Sequence, residues 1–283
     1  MKTFAMLVTV LATASCNLIF STKDELPPFR HPTVDPVGSP DDLPDDPNLQ
    51  IIHGDEVKPH SIPYQIYLIG RSSFQSWSCG GSIISPKTVI TAAHCVDGAT
   101  SIEITLGAHN LKQVSPGQIT VNAASWKQHE KYDRSTIDND IAVVILPNEI
   151  PVSPTINYSK LPSKTDVNTD FVGDNARVSG WGVTTSGGGS VSDVLRQVNN
   201  TIISNFACNE VFGIVKNEEI CLSGAEGKTA CNGDSGGPLV IGDIQVGVVS
   251  YGVRWCISGY PSVYCRTTKF LDWIEDNSDW RGD

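Results

Sequence analysis

Three short segments of the chain carry side chains that together could perform nucleophilic catalysis. They are Thr91–Cys95 with an imidazole, Asp138–Ala142 with a carboxylate before an apolar strand, and Gly233–Pro238 with a hydroxyl in a glycine-rich turn. A serine hydroxyl is a poor nucleophile at neutral pH and needs an imidazole base within hydrogen-bond reach. A buried carboxylate fixes the tautomer of that imidazole and stabilises the imidazolium. The segments therefore predict Ser235 as nucleophile, His94 as base and Asp140 as its orienting partner.

The glycines around Ser235 suit the same chemistry. They let the backbone turn sharply and aim N–H groups at one point. Two such groups, from Gly233 and Ser235, would form an oxyanion hole for the negative charge that develops during acyl transfer.

Taken singly, each segment has an ordinary structural interpretation. His94 alone would be a structural histidine, Asp140 alone a turn or cap residue, and the glycine-rich run a plain loop. Their order and flanks together resemble the chymotrypsin family of serine endopeptidases, over about Ile51 to Asn277.

The pattern of short β-branched runs separated by turn residues indicates an all-β protein. Such runs include 64–69, 88–91, 102–106, 141–146, 177–180, 198–203 and 246–250, and a helix is expected over 268–275. The resemblance implies two antiparallel six-stranded β-barrels, about 51–165 and 166–283, and a C-terminal helix. It places His94 and Asp140 on the first barrel and Ser235 on the second.

A closer resemblance is to the brachyurins, the arthropod serine collagenases and their chymotrypsin-like relatives. It is carried by Leu106–Asn110, Ser192–Val198 and Gly227–Gly233. By this resemblance Thr229 forms the base of the specificity pocket, Gly252 and Ser262 its wall, and Ser250 lies on the strand that pairs with the substrate backbone. Because neither Thr229 nor Ser262 is acidic, a preference for large apolar residues before the cut is expected, and collagenolysis is not carried over.

The chain has eight cysteines, of which Cys16 lies near the expected signal cleavage point. The resemblance implies three disulfides: Cys79–Cys95, Cys208–Cys221 and Cys231–Cys256. Cys265 is left over, either as a buried, inert thiol or as a partner for a retained Cys16.

The first fifty residues differ from the rest in composition. Lys2, an apolar run and Ala12–Ala14 are typical of a signal peptide, 1–16, and the run is shorter than the ~20 residues that span a bilayer. Residues 17–50 are acidic and rich in proline, which favours an extended pro-segment over an inter-domain linker. The peptidase domain is then 51–283, and the protein is expected to be secreted.

The start of that domain resembles the new amino terminus of an activated protease, at Ile51. In the family the freed ammonium pairs with the acid before the nucleophile, here Asp234. Because the residue before the cut is Gln50 and not Arg or Lys, the activating protease is of unknown type.

The remaining signals bear on partners and modification. The net charge of −11 argues against nucleic acid as a partner. No cofactor, metal or calcium site is expected, and the protein is expected to be a monomer. Asn157 and Asn199 begin glycosylation sequons that are either occupied or empty, and Arg281–Asp283 is a coincidental adhesion tripeptide. The expected role is digestive; a regulatory or venom protease of narrow specificity and an inactive binding homologue are the alternatives.

Overall fold

The computed structural model describes residues 54–184, 190–253 and 256–282. The expected signal peptide with Cys16, the pro-segment, the residues around the expected cut (Gln50 and Ile51) and Asp283 lie outside these described residues.

The described strands follow one another in chain order with few helices between them. They are β1 (Asp55–Glu56), β2 (Gln65–Arg71), β3 (Ser76–Ile83), β4 (Thr88–Thr91), β5 (Ser101–Leu106), β6 (Ile119–Asn122), β7 (Ser125–Gln128), β8 (Ala142–Ile145), β9 (Asn175–Gly180), β10 (Arg196–Ile203), β11 (Glu219–Leu222), β12 (Pro238–Ile241), β13 (Ile244–Gly252) and β14 (Ser262–Arg266). The described α-helices are α1 (Ala93–Val96), α2 (Asn205–Asn209) and α3 (Leu271–Asp276).

The first sheet has the antiparallel order β6-β5-β2-β3-β4-β8-β7. The short link between β6 and β7 closes it into a barrel. Ala123 donates a backbone hydrogen bond to Ile102 O (2.8 Å), and Ala124 donates one to Ile145 O (2.8 Å). Residues 119–128 therefore act as one bent strand that reaches both edges of the sheet.

The second sheet has the order β1-β10-β11-β14-β13-β12-β9, and β9 also pairs with β10. That extra pairing closes six strands into a ring, to which the two-residue β1 is added. The expectation of two antiparallel β-barrels is confirmed. Each sheet counts seven strands and not six, because β1 adds to the second and the bent strand of the first is divided in two.

Alternating side chains explain why these segments form half-buried strands. In β5 the residues Ile102, Ile104 and Leu106 are buried while the residues between them are more exposed. Since successive strand side chains point to opposite faces, one face enters the barrel core. In β2 the buried Ile66 and Leu68 join the same core.

The C-terminal helix starts later than the sequence pattern predicts. Thr267–Lys269 form a 3-10 turn, and Phe270 has φ −122° and ψ 7°, so the α-helix begins at Leu271. Phe270, Leu271 and Ile274 are buried against the core of the first barrel. The C-terminal helix α3 therefore packs on the first barrel, which carries His94 and Asp140.

Buried hydrogen bonds hold the two barrels face to face. Ser82 Oγ donates to Gln245 Oε1 (2.7 Å), and Ser179 Oγ donates to Gln65 Oε1 (2.7 Å). Each bond joins one residue of the first barrel to one of the second. Residues at the barrel faces are thereby held in fixed relative positions.

Candidate active site

His94 lies on α1, directly after β4. Its Nδ1 is 2.8 Å from Asp140 Oδ2, and its backbone N–H donates to Asp140 Oδ1 (2.9 Å). The disulfide from Cys95 to Cys79 ties α1 to β3. The indole of Trp77 donates to Cys95 O (2.8 Å) and adds a second tie. The imidazole is therefore held by covalent and hydrogen-bonded supports on both sides.

Asp140 follows a strained turn and is 2 % exposed. The turn includes Ile137 and Asn139 with φ of 59° and 55°, a conformation that is unusual for a β-branched residue. Ser250 Oγ donates to Asp140 Oδ2 (2.5 Å). Burial raises the pKa of Asp140, but His94 and the hydrogen bonds from His94 and Ser250 outweigh it and hold that pKa below its usual value. Asp140 is thus kept ionised beside the imidazole.

Ser235 lies in the turn before β12 and is partly exposed. Its carbonyl accepts a hydrogen bond from Gly80 N–H of β3 (2.7 Å) and lies 3.5 Å from Cys95 Sγ. The serine turn of the second barrel therefore touches the residue next to His94. The structure brings all three predicted residues to one place between the barrels.

The two barrels approach each other closely at Gly236, which has φ of 80°. A Cβ built there would lie 2.1 Å from Thr91 Oγ1 and 2.7 Å from Gly80 O. Thr91 Oγ1 itself donates to Gly80 O (2.9 Å). Glycine is required here both by the backbone conformation and by the space available.

The backbone around the hydroxyl leaves donors available. Asp234 N–H donates to Cys231 O (2.9 Å), whereas the N–H groups of Gly233 and Ser235 donate to no backbone carbonyl of the described residues. Gly233 has φ of 96°. Neither of these two N–H groups is therefore used in a backbone hydrogen bond within the described residues.

A cleft of about 300 Å³ opens beside His94 and Ser235, and both residues line it. Its other walls include Asn232, from the Gly227–Gly233 motif, and Trp77, Asp97 and Arg134, which the sequence pattern did not single out. Asp97 Oδ2 lies 3.4 Å from Arg134 Nη1 across this wall. Of these wall residues, Asp97 could have been suggested by the sequence, because it lies three residues after His94.

The expected specificity residues lie in the second barrel. Gly252 and Ser262 are direct cross-strand partners on β13 and β14. A Cβ built on Gly252 would meet Ser262 Cβ at 4.0 Å and nothing closer. Ser262 Oγ is 2.9 Å from Tyr264 Oη, and Thr229 is 4 % exposed. Thr229 and Ser262 are both neutral.

Asp234 is fully buried behind the serine turn. Its carboxylate accepts hydrogen bonds from Gly182 N–H (2.8 Å) and Cys231 N–H (3.0 Å). Burial raises the pKa of Asp234 to about 6 although these two hydrogen bonds lower it. The carboxylate forms no ion pair with a described residue, so its charge is poorly compensated.

The cysteines of the described residues form three disulfides, Cys79–Cys95, Cys208–Cys221 and Cys231–Cys256. Cys265 is a buried free thiol, and burial raises its pKa well above the usual value. Such a thiol is poorly reactive, because the thiolate is the nucleophile. Although Cys79, His94 and Cys95 offer atoms within 4.8 Å of one another, the disulfide leaves no thiolate there to bind a metal.

The sequon asparagines Asn157 and Asn199 are both exposed. Among the described residues, no helix combines the length and apolar character needed to cross a membrane.

Comparisons with known proteins agree with this geometry. The family model described as Trypsin matches residues 51–274. This chain belongs to the trypsin family. It is 48% identical over 275 residues to a protein named chymotrypsin from Phaedon cochleariae, covering 97% of this chain and 98% of that one. It is 42% identical to a brachyurin from Leptuca pugilator, covering 80% of this chain and 97% of the relative.

A solved structure titled as an HL collagenase gives a TM-score of 0.75 at 32% identity, covering 81% of this chain and 99% of the other. This trypsin-family chain is therefore a serine endopeptidase, close to brachyurin, and acts on protein or peptide substrates. The resemblance to the chymotrypsin family stated from the motifs is confirmed.

Proposed function

We propose that this endopeptidase cleaves peptide bonds through an acyl-enzyme with Ser235, His94 and Asp140 as its triad. The observation that carries the proposal is the buried Asp140 carboxylate, which bridges His94 Nδ1 and Ser250 Oγ. With Nδ1 facing the carboxylate, His94 Nε2 is the nitrogen left to act on the serine hydroxyl. His94 and Ser235 line the same cleft, where a substrate carbonyl would meet both.

In the first step Ser235 Oγ attacks the carbonyl carbon and His94 Nε2 takes the hydroxyl proton. Asp140 stabilises the imidazolium that forms, and the N–H groups of Gly233 and Ser235 donate to the oxyanion. His94 then gives the proton to the leaving amine, which departs and leaves the acyl-enzyme. Water, activated in the same way by His94, hydrolyses the acyl-enzyme and restores Ser235.

The proposed preference is for large apolar residues before the cut. Thr229, Gly252 and Ser262 would bound that pocket, and Ser250 lies on β13, the proposed substrate strand. A lysine or arginine side chain would enter without a counter-charge, and an unpaired buried charge costs several kcal/mol. Burial of a Phe, Tyr or Leu side chain instead contributes roughly 1.5–3 kcal/mol.

The chain is proposed to be a secreted precursor, with residues 1–16 removed as a signal peptide and 17–50 as a pro-segment. Cleavage after Gln50 would free Ile51 to pair with Asp234, whose buried carboxylate lacks a described cation. The alignment with the Phaedon chymotrypsin covers 97% of this chain, so that relative shares part of the amino-terminal segment. A digestive role as a monomer is proposed, and the activating protease is of unknown type because Gln50 is neither Arg nor Lys.

Two alternatives are separated from this proposal by experiment. A serine-directed phosphonate should label the processed chain once per molecule and should not label Ser235→Ala. An inactive binding homologue would remain unlabelled in both. Cleavage of a mixed peptide library at many sites would support digestion, whereas cleavage at very few would favour a regulatory or venom protease.

A further inference from the structure

The first described strand is held by a buried histidine. His109 Nε2 lies 2.9 Å from Glu56 Oε1, and Glu56 is the second residue of β1. His109 is 8 % exposed, and its Nδ1 has no hydrogen-bond partner among the described residues. Among the described residues, the imidazole of His109 therefore makes its hydrogen bond to Glu56. The proposed triad does not involve this contact.

The backbone of His109 is fixed at the same time. Its carbonyl accepts from Trp181 Nε1 (3.0 Å) and from Leu195 N–H (2.9 Å). Val57, the residue after Glu56, donates its N–H to Leu195 O (2.9 Å) and packs with Trp181 and Leu195 in one apolar cluster. The backbone of His109 is thus held by Trp181 and Leu195, while its ring contacts Glu56 of the first described strand.

That support leads directly to the buried acid. Trp181 is followed by Gly182, whose N–H donates to Asp234 Oδ1 (2.8 Å). A Cβ on Gly182 would lie 2.4 Å from Asp234 Oδ2, so the backbone presses against the carboxylate. Trp181, which packs beside the end of β1, and Gly182, which contacts Asp234, are therefore neighbours in the chain.

We propose that His109 is a positioning residue, which holds β1 through Glu56 so that an amino terminus at Ile51 reaches Asp234. The inference rests on the proposed function, because it needs cleavage after Gln50. Gly54 lies three positions after Ile51, and three extended steps of the chain span at most about 10 Å. With so short a tether, the placement of β1 decides whether the ammonium meets the carboxylate.

The charges around the contact favour the same placement. Arg196, the cross-strand partner of Glu56, donates to Gly54 O (3.4 Å) and to Ser192 Oγ (3.2 Å). Arg196 also lies in the field of Asp55 and Glu56. Glu56 is thus flanked by Arg196 on β10 and by His109 on the other side, while Asp55 is the neighbouring acid on β1.

The test uses the full chain with Asp46–Gln50 replaced by an enteropeptidase site, so that cleavage releases Ile51. Glu56→Ala removes the contact from an exposed side chain, and Glu56→Gln keeps an acceptor for His109. His109→Ala removes the ring itself. The matched control is Lys112→Ala, which breaks the exposed ion pair of Lys112 with Asp193 (2.7 Å), three residues along the chain from His109.

Two quantities are measured: the burst amplitude with a nitrophenyl ester, which counts competent sites, and the alkaline midpoint of kcat. Loss of a hydrogen bond to a charged group should lower the burst amplitude or kcat about tenfold in Glu56→Ala, with KM for the ester little changed. The pair with Asp234 raises the pKa of the amino terminus, so a weaker pair moves the alkaline loss to lower pH, toward about 8. Glu56→Gln should recover activity to within about twofold of wild type.

The outcomes separate the inference from the function beneath it. If the wild-type chain released at Ile51 gives no burst, the proposed function is wrong. If it gives a full burst and Glu56→Ala matches it in amplitude and alkaline midpoint, the role of His109 is wrong while the function stands. Equal losses in Lys112→Ala, or no recovery in Glu56→Gln, would also overturn the assignment. Because Glu56 is exposed, the Glu56 variants decide the question even where His109→Ala fails to fold.

Discussion

Ser250 Oγ and Asp140 Oδ2 are 2.5 Å apart, and the same carboxylate oxygen lies 2.8 Å from His94 Nδ1. Ser250 belongs to β13 of the second barrel, whereas Asp140 precedes β8 of the first. The contact therefore joins the proposed substrate strand to the proposed catalytic acid across the barrel interface.

Removal of this hydroxyl in Ser250→Ala should lower kcat about tenfold or more, since a hydrogen bond to a charged group contributes about 1.5–3 kcal/mol. The matched control is Ser179→Ala, which removes an equally buried hydroxyl that bonds Gln65 and not the triad. A kcat within twofold of wild type in Ser250→Ala would show that the contact does not support catalysis.

The same variant should change acid stability. The pKa of Asp140 lies below its usual value, so Asp140 stabilises the fold above the unfolded pKa, about 3.9, and that contribution is lost as pH falls through the folded pKa. Without the Ser250 hydrogen bond the folded pKa rises and the contribution shrinks. Urea unfolding at pH 7 and pH 3 should show a stability difference between wild type and Ser250→Ala that is larger at pH 7.

A side chain at Gly236 should separate the barrels. Gly236→Ala places a Cβ 2.1 Å from Thr91 Oγ1 at a φ of 80°, so both strain and a clash are expected. Gly242→Ala is the matched control, because Gly242 has φ of 58° but no atom within 4 Å of the added Cβ. Thermal unfolding should show a loss of about 1 kcal/mol in the control and a larger one in Gly236→Ala, together with loss of activity. Equal losses in both would mean that the close approach does not matter.

A carboxylate introduced at Thr229 should change which residues the enzyme prefers before the cut. Wild type should cleave after Phe, Tyr or Leu with kcat/KM at least about 100-fold above Arg or Lys, because an unpaired buried charge costs several kcal/mol. Thr229→Asp should raise kcat/KM for Arg and Lys, while Thr229→Asn, of the same shape but neutral, should not. Better cleavage after Arg or Lys by the wild type would refute the assignment of Thr229.

Processing should change the pH dependence of stability. With its pKa raised to about 6, Asp234 contributes stability that is fully present below the unfolded value of about 3.9 and is lost as pH rises through about 6. In the processed chain the new ammonium should offset that loss. The Tm difference between processed and unprocessed chains, both as Ser235→Ala to prevent self-cleavage, should therefore be larger at pH 8 than at pH 5. A difference that does not vary with pH would count against the pairing of Ile51 with Asp234.

The sequence by itself determined which residue types could perform the chemistry. His94, Asp140 and Ser235 were recognisable because each sits in a local motif whose flanking residues suit its role. Short β-branched runs likewise indicated β2, β4, β5, β8, β9, β10 and β13, since side-chain alternation is a property of neighbouring residues. The cysteine pairs followed from the family resemblance and not from spacing.

Other features were decided only by the tertiary structure. Ser250 and Asp140 are 110 positions apart, and Glu56 and His109 are 53 apart, so no local pattern links them. The addition of β1 to the second barrel, and the packing of α3 on the first, also depend on which apolar faces remain to be covered once the barrels close. Such contacts arise from packing between distant segments, which local periodicity does not encode.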